Sequence, residues 1–319
     1  MTPTFADVQA AAIRIAPHAV RTPLVEAPAL NALTGGRVFL KLEILQRTGS
    51  FKFRGACNRL AMISTDQRGK GVVAFSSGNH AQGVAAAAQL FGMPAVIVMP
   101  KDAPRPKIEG TRKYGVTIVE YDRIKEDREA IAAAICAERG AVLVRPSDDA
   151  GIIAGQGTAG LEIAEDAARF GVILDEVLSP CSGGGLVSGV ALALNGARVT
   201  AKVHSVEPEN FDGLKRSLEA GARVTAPGGA LSIADALMAP IPGEIVFAVA
   251  KDLLAPGLAV SDAELQAAMA FAARELRLLV EPGGAAALAA LLAGKIDTRG
   301  KNVALILSGG NADFAVNLR

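Results

Sequence analysis

The sequence predicts an α/β fold with two domains, each built on a twisted, mainly parallel sheet that helices cover. Short apolar segments alternate with amphipathic segments along most of the chain, as parallel strands alternate with crossover helices. Glycine-rich turns directly follow several of the apolar segments. The chain has 319 residues, a length typical of about two domains. No linker rich in Ser, Gly or Pro divides it.

The first part of the pattern predicts a continuous block of alternating strands and helices. The predicted strands are Val72–Phe75, Ala95–Met99, Thr117–Glu120 and Ala141–Arg145. The predicted helices between them are Asn79–Phe91, Pro104–Tyr114 and Lys125–Arg139. The strand segments are short and rich in apolar or β-branched residues, and most of the helical segments end at or near a glycine.

The pattern resumes after residue 175 and predicts a second sheet. Its predicted strands are Glu176–Ser179, Thr200–Val206 and Asn302–Leu307. Its predicted helices are Leu186–Asn195, Asp212–Ala220, Asp262–Leu278 and Gly283–Ala293. Because no linker separates the two blocks, we expect the chain to cross between them more than once. The predicted arrangement is a small mobile domain, residues 70–147, inserted into a large domain made of residues 1–69 and 148–319.

Composition and charge exclude several classes of protein. Hydrophobic residues make up 50% and charged residues 20%, which is typical of a globular chain. The formal net charge of +1 provides no electrostatic basis for binding nucleic acid or an anionic membrane. The three cysteines are widely spaced, which favours a reducing compartment over a disulfide framework or a zinc site. With neither a secretory signal nor a spanning segment in the sequence, we expect a cytoplasmic enzyme.

Four glycine-rich segments are candidate phosphate cradles, because the exposed N–H groups of a strand-to-helix turn favour an anion. They are S-S-G-N-H (76–80), G-Q-G-T-A-G (155–160), S-G-G-G-L (182–186) and S-G-G-N (308–311). The segment at 182–186 is the strongest candidate, because a predicted strand enters it and an apolar helix leaves it. A tight turn would need one glycine, whereas three glycines and a serine indicate that a group approaches the backbone.

The segment G-Q-G-T-A-G matches the dinucleotide fingerprint and opens a helix-like stretch, which raises the alternative of an NAD-dependent oxidoreductase. That fingerprint requires a strand that runs into its first glycine. Pro146, Asp148 and Asp149 interrupt any such strand here. A helix amino terminus that packs closely against its neighbours is the preferred interpretation.

Lys52 lies between two phenylalanines, directly after the turn at Thr48–Gly49. An amine held among aromatic rings is partly desolvated, which lowers its pKa and suits it to covalent chemistry with a carbonyl. Ser50 is the expected N-cap of the helix that follows. Most lysines are solvated surface charges, so this residue alone does not establish a function.

The motifs together resemble those of one enzyme family. They are R-T-P-L (21–24), K-L-E (41–43), G-S-F-K-F-R-G-A (49–56), S-S-G-N-H-A-Q-G (76–83), A-G-Q-G-T (154–158), S-G-G-G-L (182–186), V-E-P (206–208), E-P-G-G-A (281–285) and S-G-G-N (308–311). Their order resembles that of the pyridoxal-phosphate (PLP) enzymes of fold type II, which are tryptophan synthase β-like. The segment around Lys52 is similar to the serine/threonine dehydratase and serine racemase branch rather than to the cysteine synthases.

The resemblance implies a role for each matching residue. It assigns cofactor binding to Phe51, Lys52, Asn79, Ser182, Gly183, Gly184, Gly185, Leu186, Glu281 and Ser308. It assigns substrate binding to Ser76, Ser77, Gly78, Asn79, His80 and Arg128. In this scheme Lys52 carries the cofactor and removes the Cα proton, and residues 182–186 cradle the phosphate. Asn79 bonds the cofactor O3′, Ser308 faces the pyridine nitrogen, and Ser77 is a second catalytic residue on the opposite face.

The implied activity is α,β-elimination from a small β-hydroxy amino acid, L-serine or L-threonine, giving a 2-oxo acid and ammonia. Serine racemization and dehydration of 3-hydroxyaspartate are the alternatives within the branch. Arg128 would bind a second substrate carboxylate if it points into the cleft, or would pair with acidic neighbours on a solvated face if it does not. Enzymes of fold type II are usually homodimers, so a homodimer is expected.

Serine racemases also carry a divalent cation after the V-E-P turn, held by that glutamate, a carbonyl and an aspartate six residues beyond the glutamate. Here Glu207 and the carbonyl of Phe211 match, but the third position is Gly213, with Asp212 one residue early. Water or Glu209 would have to replace the lost ligand. The resemblance therefore implies at most a weakened Mg²⁺ or Mn²⁺ site.

Overall fold

The fold is seen in a computed structural model that describes residues 1–103 and 105–312. Its strands are β1 (Leu24–Glu26), β2 (Arg37–Leu42), β3 (Val72–Phe75), β4 (Ala95–Pro100), β5 (Thr117–Tyr121), β6 (Val142–Leu143), β7 (Glu176–Pro180), β8 (Lys202–Pro208), β9 (Leu258–Val260) and β10 (Asn302–Leu307). Its helices are α1 (Phe5–Ile15), α2 (Pro28–Thr34), α3 (Lys52–Ala61), α4 (Thr65–Arg68), α5 (Asn79–Leu90), α6 (Arg105–Arg112), α7 (Arg128–Arg139), α8 (Ala150–Arg169), α9 (Gly185–Gly196), α10 (Gly213–Ala220), α11 (Glu244–Leu253), α12 (Asp262–Phe271) and α13 (Ala286–Leu292).

The strands form two sheets, and the α/β prediction is confirmed. The larger sheet has the order β1-β2-β10-β7-β8-β9, and its neighbours are parallel except for the antiparallel pair β1–β2. The smaller sheet has the order β5-β4-β3-β6 and is parallel throughout. Its strands come from one continuous piece of chain, whereas the larger sheet uses both ends. The division into a small domain, residues 70–147, inserted into a large domain stays a prediction.

The central strands are apolar because helices cover both of their faces. Every residue of β3 and of β4 is buried, as expected for parallel strands that pack against helices on both sides. In the larger sheet, α13 packs on one face, and α8 and α9 lie on the other. The covered faces leave the ends of the strands as the accessible part of each sheet.

Several predicted boundaries were wrong for local reasons. Helix α7 begins at Arg128 rather than at Lys125, because the Asp127 carboxylate caps it by accepting from the backbone of Glu129 and Ala130. The predicted strand 141–145 shrinks to the two residues of β6, and the predicted helix start at residue 104 lies outside the described residues. The helix predicted to reach residue 278 ends at residue 271, and a π-helical turn follows it.

The glycines of the dinucleotide-like segment lie in the middle of α8, so the prediction that they open a helix was wrong. Mid-helix amides bond within the helix and cannot cradle a phosphate. A Cβ on Gly155 would lie 2.7 Å from the Cα of Gly55, and a Cβ on Gly157 would lie 2.7 Å from the carbonyl of Gly189. These glycines therefore allow α8 to pack closely against α3 and α9. The nucleotide interpretation has no structural support.

None of the helices in the described part of the chain has the length and apolar character needed to cross a bilayer.

Candidate active site

A cavity of about 480 Å³ lies between the two sheets, at the carboxyl ends of β3, β5, β7 and β10. Carboxyl ends of parallel strands are where open α/β sheets bind ligands. The predicted residues that line the cavity are Phe51, Lys52, Ser76, Ser77, Gly78, Asn79, His80, Arg128, Ser182, Gly183, Gly184, Gly185, Leu186, Glu281 and Ser308. Residues distant in the sequence are thus brought to one place.

Lys52 is the first residue of α3, and its side chain lines the cavity. Its Nζ donates to the carbonyl of Pro146 at 2.6 Å and lies 5.1 Å from the centre of the Phe51 ring. Desolvation lowers the pKa of Lys52 to about 8. More of this lysine is therefore a neutral amine at neutral pH than is the case for an exposed lysine. A neutral amine is the form that attacks a carbonyl.

The segment at residues 182–186 is the turn between β7 and α9. Gly184 has φ of +86°, and a Cβ there would lie 2.5 Å from Cγ1 of Val246. Within the described chain, the backbone N–H groups from Ser182 to Leu186 donate to no protein acceptor. They converge at the amino terminus of a 12-residue helix. This turn can therefore bind an anion such as a phosphate group.

A second helix amino terminus faces the same cavity. The turn after β3 leads through Ser76 and Ser77 to Gly78, which precedes the 12-residue helix α5. The N–H of Gly78 is satisfied locally by the hydroxyl of Ser76 at 3.2 Å. For Ser77, Asn79 and His80, no backbone N–H donates to an acceptor in the parts of the chain described. The cavity thus holds two separate sites suited to anions.

The side chain of His80 supports the site rather than offering a charge to a ligand. It is almost fully buried, and its Nε2 donates to the carbonyl of Val144 at 3.0 Å. Desolvation, with a contribution from the Lys52 charge, lowers the pKa of His80 to about 3. The ring is therefore neutral at physiological pH. Any contact between His80 and a carboxylate would come from its backbone.

A polar network of Asn79, Glu281 and Asn311 contributes to the cavity lining. Asn79 donates through Nδ2 to Oε1 of Glu281, and its Oδ1 accepts from Nδ2 of Asn311 at 2.9 Å. Burial raises the pKa of Glu281. Ser308, at the end of β10, is buried and also lines the cavity. The network orients the Asn79 amide and leaves it one further N–H to donate.

Arg128 lines the cavity with its guanidinium 5.3 Å from the centre of the Phe75 ring. Four other cations that line the cavity form ion pairs with carboxylates: Lys107 with Asp235 at 2.6 Å, Arg123 with Asp102 at 2.9 Å, Arg145 with Glu129 at 2.8 Å, and Arg223 with Glu244 at 3.0 Å. No carboxylate of the described residues forms an ion pair with Arg128. Its charge is therefore free to bind an anion in the cavity.

Glu207, the predicted metal ligand, lies outside the cavity. Its two carboxylate oxygens accept from the backbone of Leu214 at 2.9 Å and of Lys215 at 2.7 Å. Burial raises the pKa of Glu207 to about 8. Asp212, one residue before the missing ligand position, pairs with Arg216 at 2.7 Å. Both carboxylates already bind other groups, and the metal site stays a prediction.

Sequence reasoning missed the segment after β6. The carbonyl of Pro146 accepts from Lys52, and a Cβ on Gly183 would collide with the side chain of Ser147. The carboxylate of Asp148 caps α11 by accepting from three successive backbone N–H groups, the closest at 2.9 Å. These residues follow a strand that was predicted to be parallel to β3. Their place at the same sheet edge as residues 76–80 was the signal that could have found them.

The chain is similar over most of its length to known proteins. A family model described as "Pyridoxal-phosphate dependent enzyme" matches residues 15–309. The chain is 44% identical over 311 residues to an L-threo-3-hydroxyaspartate ammonia-lyase of Pseudomonas sp., covering 98% of this chain and 96% of the relative. It is 39% identical to a serine racemase of Arabidopsis thaliana, covering 94% and 91%. A solved structure of maize serine racemase superposes with a TM-score of 0.93 at 37% identity, covering 98% of this chain and 95% of that one.

Proposed function

The chain belongs to the family of pyridoxal-phosphate dependent enzymes, and we propose that it eliminates water from a small β-hydroxy amino acid. L-Serine and L-threonine are the proposed substrates. The Cα–H and Cβ–O bonds break, water departs, and hydrolysis then yields a 2-oxo acid and ammonia. The observation that carries the proposal is the desolvated amine of Lys52 in a cavity that two helix amino termini also face.

The residues of the cavity fit pyridoxal phosphate. Among the described residues, no acceptor pairs with the backbone N–H groups of the turn at residues 182–186, so they are available to a phosphate, and a side chain at Gly184 would collide with Val246. Lys52 offers a primary amine whose lowered pKa favours reaction with an aldehyde. Phe51 offers an aromatic face next to it. The cavity of about 480 Å³ is large enough for a small cofactor and an amino acid.

Each residue then has a defined task. The bound cofactor supplies an electron sink that makes the Cα–H bond of the substrate acidic. Lys52 would hold the cofactor, and its free amine would take the proton from Cα. The amino terminus of α5, from Ser76 to His80, binds the substrate carboxylate. Asn79 would donate to the cofactor O3′, and the hydroxyl of Ser308 would bond the pyridine nitrogen.

A substrate panel tests the proposal. The purified protein is given L-serine, D-serine, L-threonine and the diastereomers of 3-hydroxyaspartate, and 2-oxo acid and ammonia are measured. We expect 2-oxo acid from at least one L-β-hydroxy amino acid, and a visible absorbance band that borohydride abolishes. A protein that shows the band but releases no 2-oxo acid from any member would contradict the elimination reaction.

Dehydration of 3-hydroxyaspartate is a second candidate, because Arg128 is a cavity cation without an ion-pair partner among the described residues. Its planar fork suits a distal carboxylate. Arg128→Ala is expected to lower kcat/KM for 3-hydroxyaspartate about 100-fold and for L-serine less than about threefold.

Arg123→Ala is the matched control, because Arg123 also lines the cavity but is neutralised by Asp102. It should leave both substrates nearly unaffected. Equal, small effects of Arg128→Ala on the two substrates would show that Arg128 does not bind the distal carboxylate.

Serine racemization is the other alternative and depends on Ser77, which lines the cavity in the turn before α5. Racemization needs a second proton-transfer group on the face opposite Lys52. Ser77→Ala is expected to slow D-serine dehydration and any racemization about 100-fold, and L-serine dehydration less than about fivefold. Chiral chromatography of the reaction mixtures measures all three rates. Equal losses in all three rates would argue against the assignment of Ser77 and Lys52 to opposite faces of the substrate.

We also propose that the protein acts in the cytoplasm as a homodimer, with residues 70–147 moving as a small domain over the cavity. Sedimentation at micromolar concentration distinguishes dimer from monomer. Hydrogen exchange with and without substrate tests whether that range responds as a unit.

A further inference from the structure

The helix that carries Lys52 begins without a side-chain cap. Phe51 occupies the N-cap position of α3 and makes no capping hydrogen bond. Ser50, the expected cap, is buried, and its hydroxyl has no partner among the described residues. The first turn of a helix leaves N–H groups unsatisfied, and its position is normally held by such a cap. The backbone N–H of Phe51 donates to the carbonyl of Ser308 at 3.1 Å, but no side-chain cap among the described residues holds the first turn of α3.

Arg54, two residues after Lys52, is buried and forms ion pairs with two carboxylates. It is 1% exposed, and it binds the Glu43 carboxylate through Nε and one terminal nitrogen, each at 2.8 Å. Its two terminal nitrogens also bind the Glu162 carboxylate at 2.7 and 2.8 Å. A guanidinium held by two carboxylates in this way has little freedom to shift.

Lys41 completes a buried quartet of two cations and two anions. It is 0% exposed and donates to the Glu162 carboxylate at 2.5 Å and to the carbonyl of Thr22 at 2.6 Å. The Thr22 hydroxyl in turn donates to Glu43 at 2.5 Å. We call Lys41, Glu43, Arg54 and Glu162 the charge quartet. It joins β2, the segment after β2, α3 and α8.

Helix α8 also forms hydrogen bonds with the first turn of α3. The side chain of Gln156 accepts from the backbone N–H of Gly55 at 3.2 Å, and the hydroxyl of Thr158 accepts from Arg54 at 3.2 Å. The contact between Gly55 and Gly155 allows the two helices to approach this closely. The dinucleotide-like motif on α8 thus packs against the amino terminus of α3 and forms hydrogen bonds with it.

We propose that Arg54 is a positioning residue for catalysis, which fixes the place of Lys52 through the charge quartet. This inference rests on the proposed role of Lys52. Charge groups buried in this way add little net stability over apolar residues of similar size, since their desolvation cost offsets their attraction. Their geometry is nevertheless specific. A displacement of about 1 Å at a reacting group can lower a rate about 100-fold.

The test compares two identical substitutions on one helix. Arg54→Lys keeps the charge but loses the fork, so it cannot hold both carboxylates. Arg59→Lys is the control, because Arg59 also lies on α3 and pairs with Asp149 at 2.9 Å, but is partly exposed and outside the cavity. Both variants are loaded with pyridoxal phosphate. Thermal unfolding, kcat, KM and the visible circular dichroism of the cofactor are measured.

Arg54→Lys is expected to lower kcat about 100-fold with KM changed less than threefold, and to change the cofactor's dichroic band. Arg59→Lys should retain both kcat and the band. If Arg54→Lys stays folded with the kcat and the dichroic band of Arg59→Lys, the proposal is overturned.

A second variant tests the proposal in case Arg54→Lys does not fold. Glu162→Gln changes a residue on α8 that is 13% exposed and leaves the Arg54–Glu43 pair in place. It is expected to lower kcat about tenfold with a changed dichroic band. A folded Glu162→Gln with native kcat and band, or unfolding of both quartet variants, would overturn the positioning role. The dichroic band needs no substrate, so it tests this inference even if the substrate panel disproves the elimination reaction.

Discussion

Replacing Lys52 with alanine is expected to lower turnover at least about 1,000-fold while the protein stays folded. The substitution removes both the amine that holds the cofactor and the group that takes the Cα proton. The fold should survive because alanine suits the first position of a helix, and because Nζ makes a hydrogen bond to only one protein group of the described residues, the Pro146 carbonyl. The phosphate turn is untouched, so the cofactor can still bind reversibly.

The measurement is 2-oxo acid release by the best substrate of the panel, with far-ultraviolet circular dichroism to establish folding. Lys113→Ala is a matched control, since the Lys113 amine also lies 5.1 Å from an aromatic ring, that of Tyr114. Lys113 does not line the cavity. A folded Lys52→Ala protein that works at a near-native rate would show that another group is the catalytic amine.

Replacing Gly184 with alanine is expected to weaken pyridoxal phosphate binding about 100-fold. Its φ of +86° is costly for any residue with a Cβ, and the added methyl would lie 2.5 Å from Cγ1 of Val246. Val246 lies in the first turn of α11, which Asp148 holds in place, so it has little room to move. The turn must therefore shift, and its N–H groups lose their alignment with the phosphate.

Equilibrium titration of the apoprotein with pyridoxal phosphate, followed by absorbance, measures the change. Gly171→Ala is the control, because Gly171 has a similar φ of +66° but no heavy atom within 4 Å of the added Cβ. It incurs the backbone strain without the collision and should bind the cofactor normally. If both variants bind with native affinity, the turn at residues 182–186 is not the phosphate site.

Local patterns predicted the parts of the fold that local physics decides. The strand at Val72–Phe75 was predicted residue for residue, because a run of apolar residues between a glycine and a polar turn admits little else. Helix α7 was misplaced by three residues, since its start depends on one capping side chain, Asp127. Helix α8 was recognised only in its second half, because the glycines in its middle match a turn as well as a close helix contact.

The sequence by itself determined which residue types could carry the chemistry: a lysine between two phenylalanines, and glycine-rich turns after apolar strands. Only the tertiary structure decided where these residues meet and which protonation states they adopt. The lowered pKa of Lys52 and the neutral state of His80 arise from burial by segments far along the chain. The charge quartet likewise draws on four separate segments. Distances and desolvation between such segments depend on packing, and no local pattern encodes them.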